Sequence, residues 1–554
     1  MLLREFENKI VEAASKVAGI DIDGAELLPT DPAFGDLATN IALKLAGRAK
    51  RSPLELAKDI CGELQVSGLF DEVSVAGPGF INLRLKTNTL FNLSRETLEK
   101  SLSGRKVVAE YGDPNPFKIL HAGHLYTGII GDAVSNLYEA AGAEVHRVNF
   151  GGDIGLHVAK CIWAMIKDSG SETEEKFNSL PDKEKMPWIS ACYIKGNEAY
   201  EAGGKEQAEI KALNARLYKV VGGEDPDSGL AKLYWSSRDY SYKYFEQFYA
   251  RVGISFEKFY PESTVSDLGL MTVKKNTPSV YKESEGAVIF EGSKYGLFDN
   301  VFINGQGLPT YAAKDVGLIF SKYSDYRFDM SLVITGNDQK DYMSVVLKSV
   351  EQYAPELVNN TVHMTHGIVK LQGGVKMSSR LGNFLKADDV IDSVRTALSK
   401  NGREENPAVV NAAIKYAFLK QGIGGDIVLD VEESISISGN SGPYLQYSYA
   451  RANKILEQAR PGEENVEELD QFERDLLVKC ADYNRVLGEA IQQLKPVDIC
   501  TYAHNLCQSF NRFYENCKVI GDPRQTVRLQ IIAEFLSKLQ SSFDLLGIES
   551  LKQM

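Results

Sequence analysis

Between residues 107 and 149 the chain has little freedom in what it can fold into. Residues 107–110 are a short apolar run, and the loop after them holds Pro114, Asn115 and Pro116. Leu125, Ile129, Ala133, Leu137 and Ala141 then recur at four-residue spacing until Gly142. That spacing predicts a helix over 121–141 with glycine as its stop, and 145–149 reads as a second short strand. Two such strands joined by a helix make a parallel β-α-β unit. In sheets built this way the ligand site opens at the turn after the first strand, where His121 and His124 fall. Further strands at 287–290, 332–335 and 362–369, with helices between them, make the centre of the chain an α/β domain.

Length divides the remainder. A chain of 554 residues exceeds what one hydrophobic core organises, so three or four domains are expected. Residues 1–87 read as an α+β module. It has an amphipathic helix (Leu3, Phe6, Ile10, Ala13, Val17), a second helix opened by Ser52-Pro53, and strands at 73–75 and 80–85 around the turn Gly77-Pro78-Gly79. Residues 106–390 hold the α/β domain. Within it, 160–260 is helical in pattern and too long for a simple crossover, so it reads as an inserted helical subdomain. From 391 to 554 the periodicity is helical except at 427–437, giving an all-α bundle.

Composition removes several classes. No apolar run approaches the roughly 20 residues that span a bilayer, and the first residues carry acids where a signal peptide is apolar. A cytoplasmic protein with no membrane partner is expected. The seven cysteines are dispersed and never in a Cys-x-x-Cys pair, so buried free thiols and no metal site are expected. A net charge of −13 taken alone argues mildly against a nucleic-acid partner, although net charge does not report local patches.

Chemistry concentrates in two segments. His121 and His124, three apart, put both imidazoles on one side of a helix start, where free amides and the helix dipole favour phosphate. Gly123 between them lets a nucleotide approach the backbone closely. About 250 residues later, Gly373-Gly374-Val375-Lys376-Met377-Ser378-Ser379-Arg380 is a glycine-flanked cationic segment. Its lysine can close over a leaving pyrophosphate as charge develops there. Either segment alone is commonplace, whereas together they point to transfer of the adenylyl group of ATP.

The two segments resemble the paired signatures of the class I aminoacyl-tRNA synthetases, His-x-Gly-His and Lys-Met-Ser-Lys-Ser. Within that class the chain is similar to the arginyl-tRNA synthetases over nearly its whole length. Phe34-Gly35-Asp36-Leu37-Ala38-Thr39-Asn40 and Ala76-Gly77-Pro78-Gly79-Phe80-Ile81-Asn82 resemble that family's N-terminal add-on domain, which binds tRNA at the D-loop. Gly442-Pro443-Tyr444-Leu445-Gln446-Tyr447 resembles the start of its anticodon-binding domain, and Leu545-Leu546-Gly547-Ile548 also has the family pattern.

The resemblance implies a Rossmann-like catalytic domain and two-step charging of tRNA(Arg) with L-arginine. ATP is the co-substrate, with Mg2+. It also implies a monomer and a first step that needs bound tRNA. His121, Gly123, His124, Lys376, Met377 and Ser378 are implied to bind ATP, with His121, His124, Lys376 and Lys118 serving the transition state. Glu110, Asn115, Tyr311, Asp315 and Gln339 are implied arginine contacts. Tyr311 and Asp315 match the family's Tyr-x-x-x-Asp pair and share one helix face. Glu110 matches an acidic pocket position, and Asn115 and Gln339 match residues that hold the amino and carboxylate ends. A guanidinium is planar, permanently charged and carries five donors, so its pocket needs such acceptors.

The chain departs from the family pattern at several points. Ser379 replaces the second lysine of the loop, and Lys118, three residues before His121, offers the missing charge. Phe150 and Ile154 stand where His and Trp are common, and Gln306 where Asp is usual. These changes leave the contacts near Asn149 and Asp153 open.

Overall fold

The computed structural model describes residues 2–30, 34–372, 385–403, 405–459 and 468–554. Helices α1 (Leu2–Ala18), α2 (Ile41–Ala49) and α3 (Pro53–Val66) accompany four antiparallel strands, β1 (Leu28–Pro29), β2 (Leu37–Thr39), β3 (Phe70–Ala76) and β4 (Phe80–Leu85), ordered β1-β2-β4-β3. The stripe Phe6, Ile10, Ala13 and Ala14 is the buried face of α1, as its spacing requires. Pro53 opens α3 at a first-turn position. Helix α4 (Thr87–Arg95) leads out of this module.

The centre then runs β5 (Lys106–Glu110), α5 (Ala122–Ala140) and β6 (Glu144–Gly151). A helical insertion follows, made of α6 (Leu156–Ser169), α7 (Glu175–Ser179), α8 (Asp182–Ala202), α9 (Gly204–Val221) and α10 (Gly229–Arg251). After it come β7 (Lys258–Pro261), α11 (Glu262–Lys275), β8 (Lys282–Ser284), β9 (Ala287–Phe290), β10 (Asn300–Ile303) and α12 (Tyr311–Tyr326). The series ends with β11 (Met330–Gly336), α13 (Lys340–Glu351), α14 (Pro355–Asn359), β12 (Thr361–His366) and β13 (Val369–Leu371). Five of these strands form one parallel sheet, β12-β11-β5-β6-β7. Val107, Val108 and Ala109 in its middle are fully buried, the pattern of a strand covered on both faces.

The strand expected at 287–290 is β9, and it lies outside the parallel sheet, in a small antiparallel sheet formed by β8, β9 and β10. The single strand expected over 362–369 is two strands broken at Gly367. A Cβ on that glycine would lie 2.4 Å from the Asp426 backbone nitrogen. There β13 leaves the sheet to pair with β14 (Ile427–Leu429). Within 427–437 only β14 is extended, and α17 (Val431–Ser434) follows it. The edge strand β7 has four residues ending in proline, too short to show a period.

The rest is helical: α15 (Ala387–Lys400), α16 (Pro407–Leu419), α18 (Gly442–Gln458), α19 (Gln471–Ala481), α20 (Tyr483–Gln493), α21 (Pro496–Asn516) and α22 (Gln525–Leu546). This bundle meets the N-terminal module at a buried ion pair. Arg474 Nε donates to Asp36 Oδ1 at 2.8 Å and its Nη2 to the Leu85 carbonyl at 2.6 Å. All seven cysteines are free and buried. Among the described residues no helix is long and apolar enough to cross a membrane.

Candidate active site

The sheet order reverses about β5, whose crossover through α5 leads to β6 on one side while β11 lies on the other. A crevice therefore opens beyond the carboxyl ends of β5 and β11, and α5 begins there. His121 is its N-cap in an extended conformation, and its backbone N–H donates to His124 Nδ1 at 3.2 Å. Nδ1 thus accepts, which leaves the proton of His124 on Nε2. The two rings stack 3.6 Å apart. Burial, with Lys118 next to it, pushes His121 down to about 3 and holds His124 well below the usual imidazole range. Both rings are therefore neutral donors near pH 7, while charge comes from Lys118. That half-buried ammonium makes no hydrogen bond or ion pair with a described residue, although burial lowers its pKa. Gly123 has a local reason beyond nucleotide access: a Cβ there would sit 2.9 Å from His121 Cε1 and Nδ1.

A second group of residues, around the start of α12, is acidic. Tyr311 and Asp315 lie one turn apart on α12. Asp315 accepts a short hydrogen bond from Tyr342 on α13, and burial pushes its carboxyl up to about 7, with Glu110 and Glu262 adding to the rise. The hydroxyl of Tyr311 lies 3.0 Å from His157 Nδ1, and His157 Nε2 lies 2.7 Å from the Gly152 carbonyl. A carbonyl only accepts, so Nε2 carries the proton, Nδ1 accepts from Tyr311, and the lone pairs of the phenol stay available for a cation. Burial pushes His157 down to about 4, which keeps it neutral.

Glu110, buried at the end of β5, is ion-paired with Lys322, which is 1% exposed. Its Oε2 is thereby occupied, so it contributes less free charge than its sequence position suggests. Asp113 stands within electrostatic reach of Glu110. Gly112 and Asp113 both have positive φ, 87° and 41°, and the reversal lets Asp113 Oδ1 accept the Phe150 N–H at 2.9 Å. Burial and then Glu110 raise Asp113 well above the carboxylate range. Behind them Glu262 is paired with Lys314 at 2.6 Å. Glu110 and Glu262 thus each hold a lysine, while Asp113 and Asp315 keep raised pKa values, so a cation placed against them would draw off their protons.

Asn115 lies beside Gly152, where Glu262 also comes close. Its Oδ1 accepts the Gly152 N–H at 2.8 Å, so its amide N–H groups remain for a carboxylate. Gln339, in the turn after β11, is exposed and donates to Asp338 Oδ2 at 3.0 Å, so its side chain is turned to a neighbour. Asp153 is fully buried and organises the insertion. It accepts from Arg238 Nε at 2.7 Å, from the Ser263 N–H at 2.8 Å and from the Ser263 hydroxyl at 2.6 Å. Lys376, Met377 and Ser378 lie outside the described residues. Asp113, His157, Lys322 and Tyr342 were not picked out from the sequence. Each is a lone polar residue with no motif, and its role depends on partners from other elements.

Residues 87–430 match the family described as tRNA synthetases class I (R), catalytic domain. Residues 445–554 match the DALR anticodon binding domain, and residues 4–85 the arginyl tRNA synthetase N terminal domain. An arginine--tRNA ligase of Treponema denticola is 29% identical over 531 residues, covering 89% of this chain and 88% of the relative. One from Clostridium acetobutylicum is 25% identical over 582 residues, covering 99% and 100%. The fold matches the Thermus thermophilus arginyl-tRNA synthetase with a TM-score of 0.79 at 21% identity, covering 100% of both chains.

Proposed function

The chain belongs to the class I tRNA synthetases for arginine, and from that membership we propose how its own residues divide the work of charging tRNA with arginine. In the first step a carboxylate oxygen of arginine bonds to the α-phosphorus of ATP as the α–β bridging P–O bond breaks, and pyrophosphate leaves. In the second, the 2′-hydroxyl of the terminal adenosine of tRNA attacks the arginyl carbonyl and AMP leaves. Neither step needs a strong acid or base, so positioning and charge stabilisation dominate.

The observation that carries the assignment is the pairing of two groups of residues: two neutral imidazole donors beside Lys118 at the start of α5, and the buried carboxyls around Asp315 on α12. His121, His124 and Lys118 receive the triphosphate, with Lys376, Met377 and Ser378 completing the ATP site and Gly123 shaping it. Tyr311 and Asp315 grip the guanidinium, supported by Glu110, while Asn115 and Gln339 hold the amino-acid end. Mg2+ enters with the triphosphate of the nucleotide substrate. Residues 1–87, 106–390 and 391–554 act as D-loop-binding, catalytic and anticodon-binding units of a cytoplasmic monomer, with α15 and α16 of the last range still inside the catalytic match of residues 87–430.

The test is pyrophosphate exchange into ATP, measured with arginine or lysine and with or without tRNA(Arg). Exchange with arginine only, and only when tRNA is present, is expected. Robust exchange with lysine, or none with arginine plus tRNA, would refute the assignment.

A further inference from the structure

The last helix of the chain ends against the helix that carries the histidines. Any α-helix leaves its final carbonyls without intrahelical partners, and α22 finds them on the catalytic domain. Asn136 Nδ2, on α5, donates to the Asp544 carbonyl at 3.1 Å and to the Leu545 carbonyl at 3.2 Å. Lys415 Nζ, on α16, donates to the Gly547 carbonyl at 2.7 Å. A cation at this end also suits the helix dipole.

Lys415 is 2% exposed and its ammonium lies 3.9 Å from Asp132 Oδ2, one turn before Asn136 on α5. Arg147 from β6 holds the same stretch, donating to Asn136 Oδ1 at 2.7 Å. The junction has no slack. Gly547 caps α22 at φ 62°, and a Cβ on it would lie 2.7 Å from Lys415 Nζ and 2.8 Å from Asp132 Oδ2. The contact joins the segment matched as catalytic, which contains α5 and α16, to the segment matched as anticodon-binding, which ends in α22.

We infer that Lys415 and Asn136 are positioning residues for adenylation, fixing the pitch of α5, and so of His121 and His124 about three turns away, to the last helix of the anticodon-binding domain. The inference rests on the assignment of the two histidines to ATP. A rigid helix pinned at one end by the RNA-binding domain and bearing the phosphate donors at the other gives tRNA docked on the bundle a direct mechanical hold on the reacting end of ATP.

The test uses the full-length protein with ATP, arginine and tRNA(Arg). Lys415→Met and Asn136→Ala are each expected to lower kcat for arginine-dependent pyrophosphate exchange by about tenfold. The arginine KM and the tRNA Kd should stay within about twofold, and Lys415→Arg should restore most of the rate. Asn136→Ala removes no charge, so it stays informative if Lys415→Met folds poorly. Unchanged kcat in both variants would overturn the inference, as would a loss of tRNA affinity matching the loss of rate. A wild-type protein without arginine-dependent exchange would instead sink the assignment of function.

Discussion

In the proposed arginine pocket, Asp315 brings burial, charge and substrate choice together in one carboxyl group. Its pKa of about 7 comes first from burial, with Glu110 and Glu262 adding to the rise and Tyr342 opposing it. A guanidinium in contact favours the anion, so arginine must expel the proton that Asp315 holds below pH 7. The sign follows. Arginine binding weakens as pH falls through 7 and levels off above it, because only the protonated form resists the ligand. The arginine KM is expected to rise between pH 7 and pH 6 by about fivefold, while calorimetry in two buffers of different ionisation enthalpy reports proton release. Asp315→Asn should flatten the profile and weaken arginine binding on the order of 100-fold or more. An arginine KM independent of pH in the wild-type protein would show that Asp315 does not meet the guanidinium.

The helix bearing Tyr311 and Asp315 owes its place to glycines. A Cβ on Gly317 of α12 would lie 2.1 Å from the Val265 carbonyl oxygen, and one on Gly269 of α11 1.9 Å from that of Ala313. The two backbones touch where side chains would normally separate them. Glycine costs a helix about 1 kcal/mol in propensity, a cost offset here by close packing. Gly317→Ala must push α12 away from α11, at about 1–3 kcal/mol for overpacking. A lower thermal midpoint and a raised arginine KM with an unchanged ATP KM are expected from a melting scan and steady-state kinetics. Equal rises in both KM values would mean that the substitution disturbs the whole crevice.

The ends of the chain are held together by charge buried away from water. Asp36 lies in the Phe34–Asn40 stretch that reads as RNA-binding, yet its carboxylate is spent on Arg474 of α19 and on the Leu85 N–H at 2.6 Å. Removing one partner of a buried pair strands the other charge at about 3–5 kcal/mol. Asp36→Ala should therefore lower the urea midpoint markedly, and Asp36→Ala with Arg474→Met should recover part of that loss. If the single and double variants unfold at the wild-type midpoint, the pair contributes nothing to joining the two modules.

Much of this architecture was legible from residue order because its signals are local. Four-residue spacing in α5, alternation in β4, and the proline that opens α3 each depend on neighbours a few positions away. The position of His121 and His124 at a strand-to-helix turn, and of Tyr311 and Asp315 one turn apart, follows from the same periodicities. What residue order left open was which charges meet. Lys322 reaches Glu110 across 212 positions and Arg474 reaches Asp36 across 438. No period or motif marks such partners, since only packing takes the water from between them and makes the pairing strong. Folding alone therefore decided that Glu110 is largely neutralised, that Asp113 joins the acidic cluster, and that the final helix rests on the helix of the two histidines.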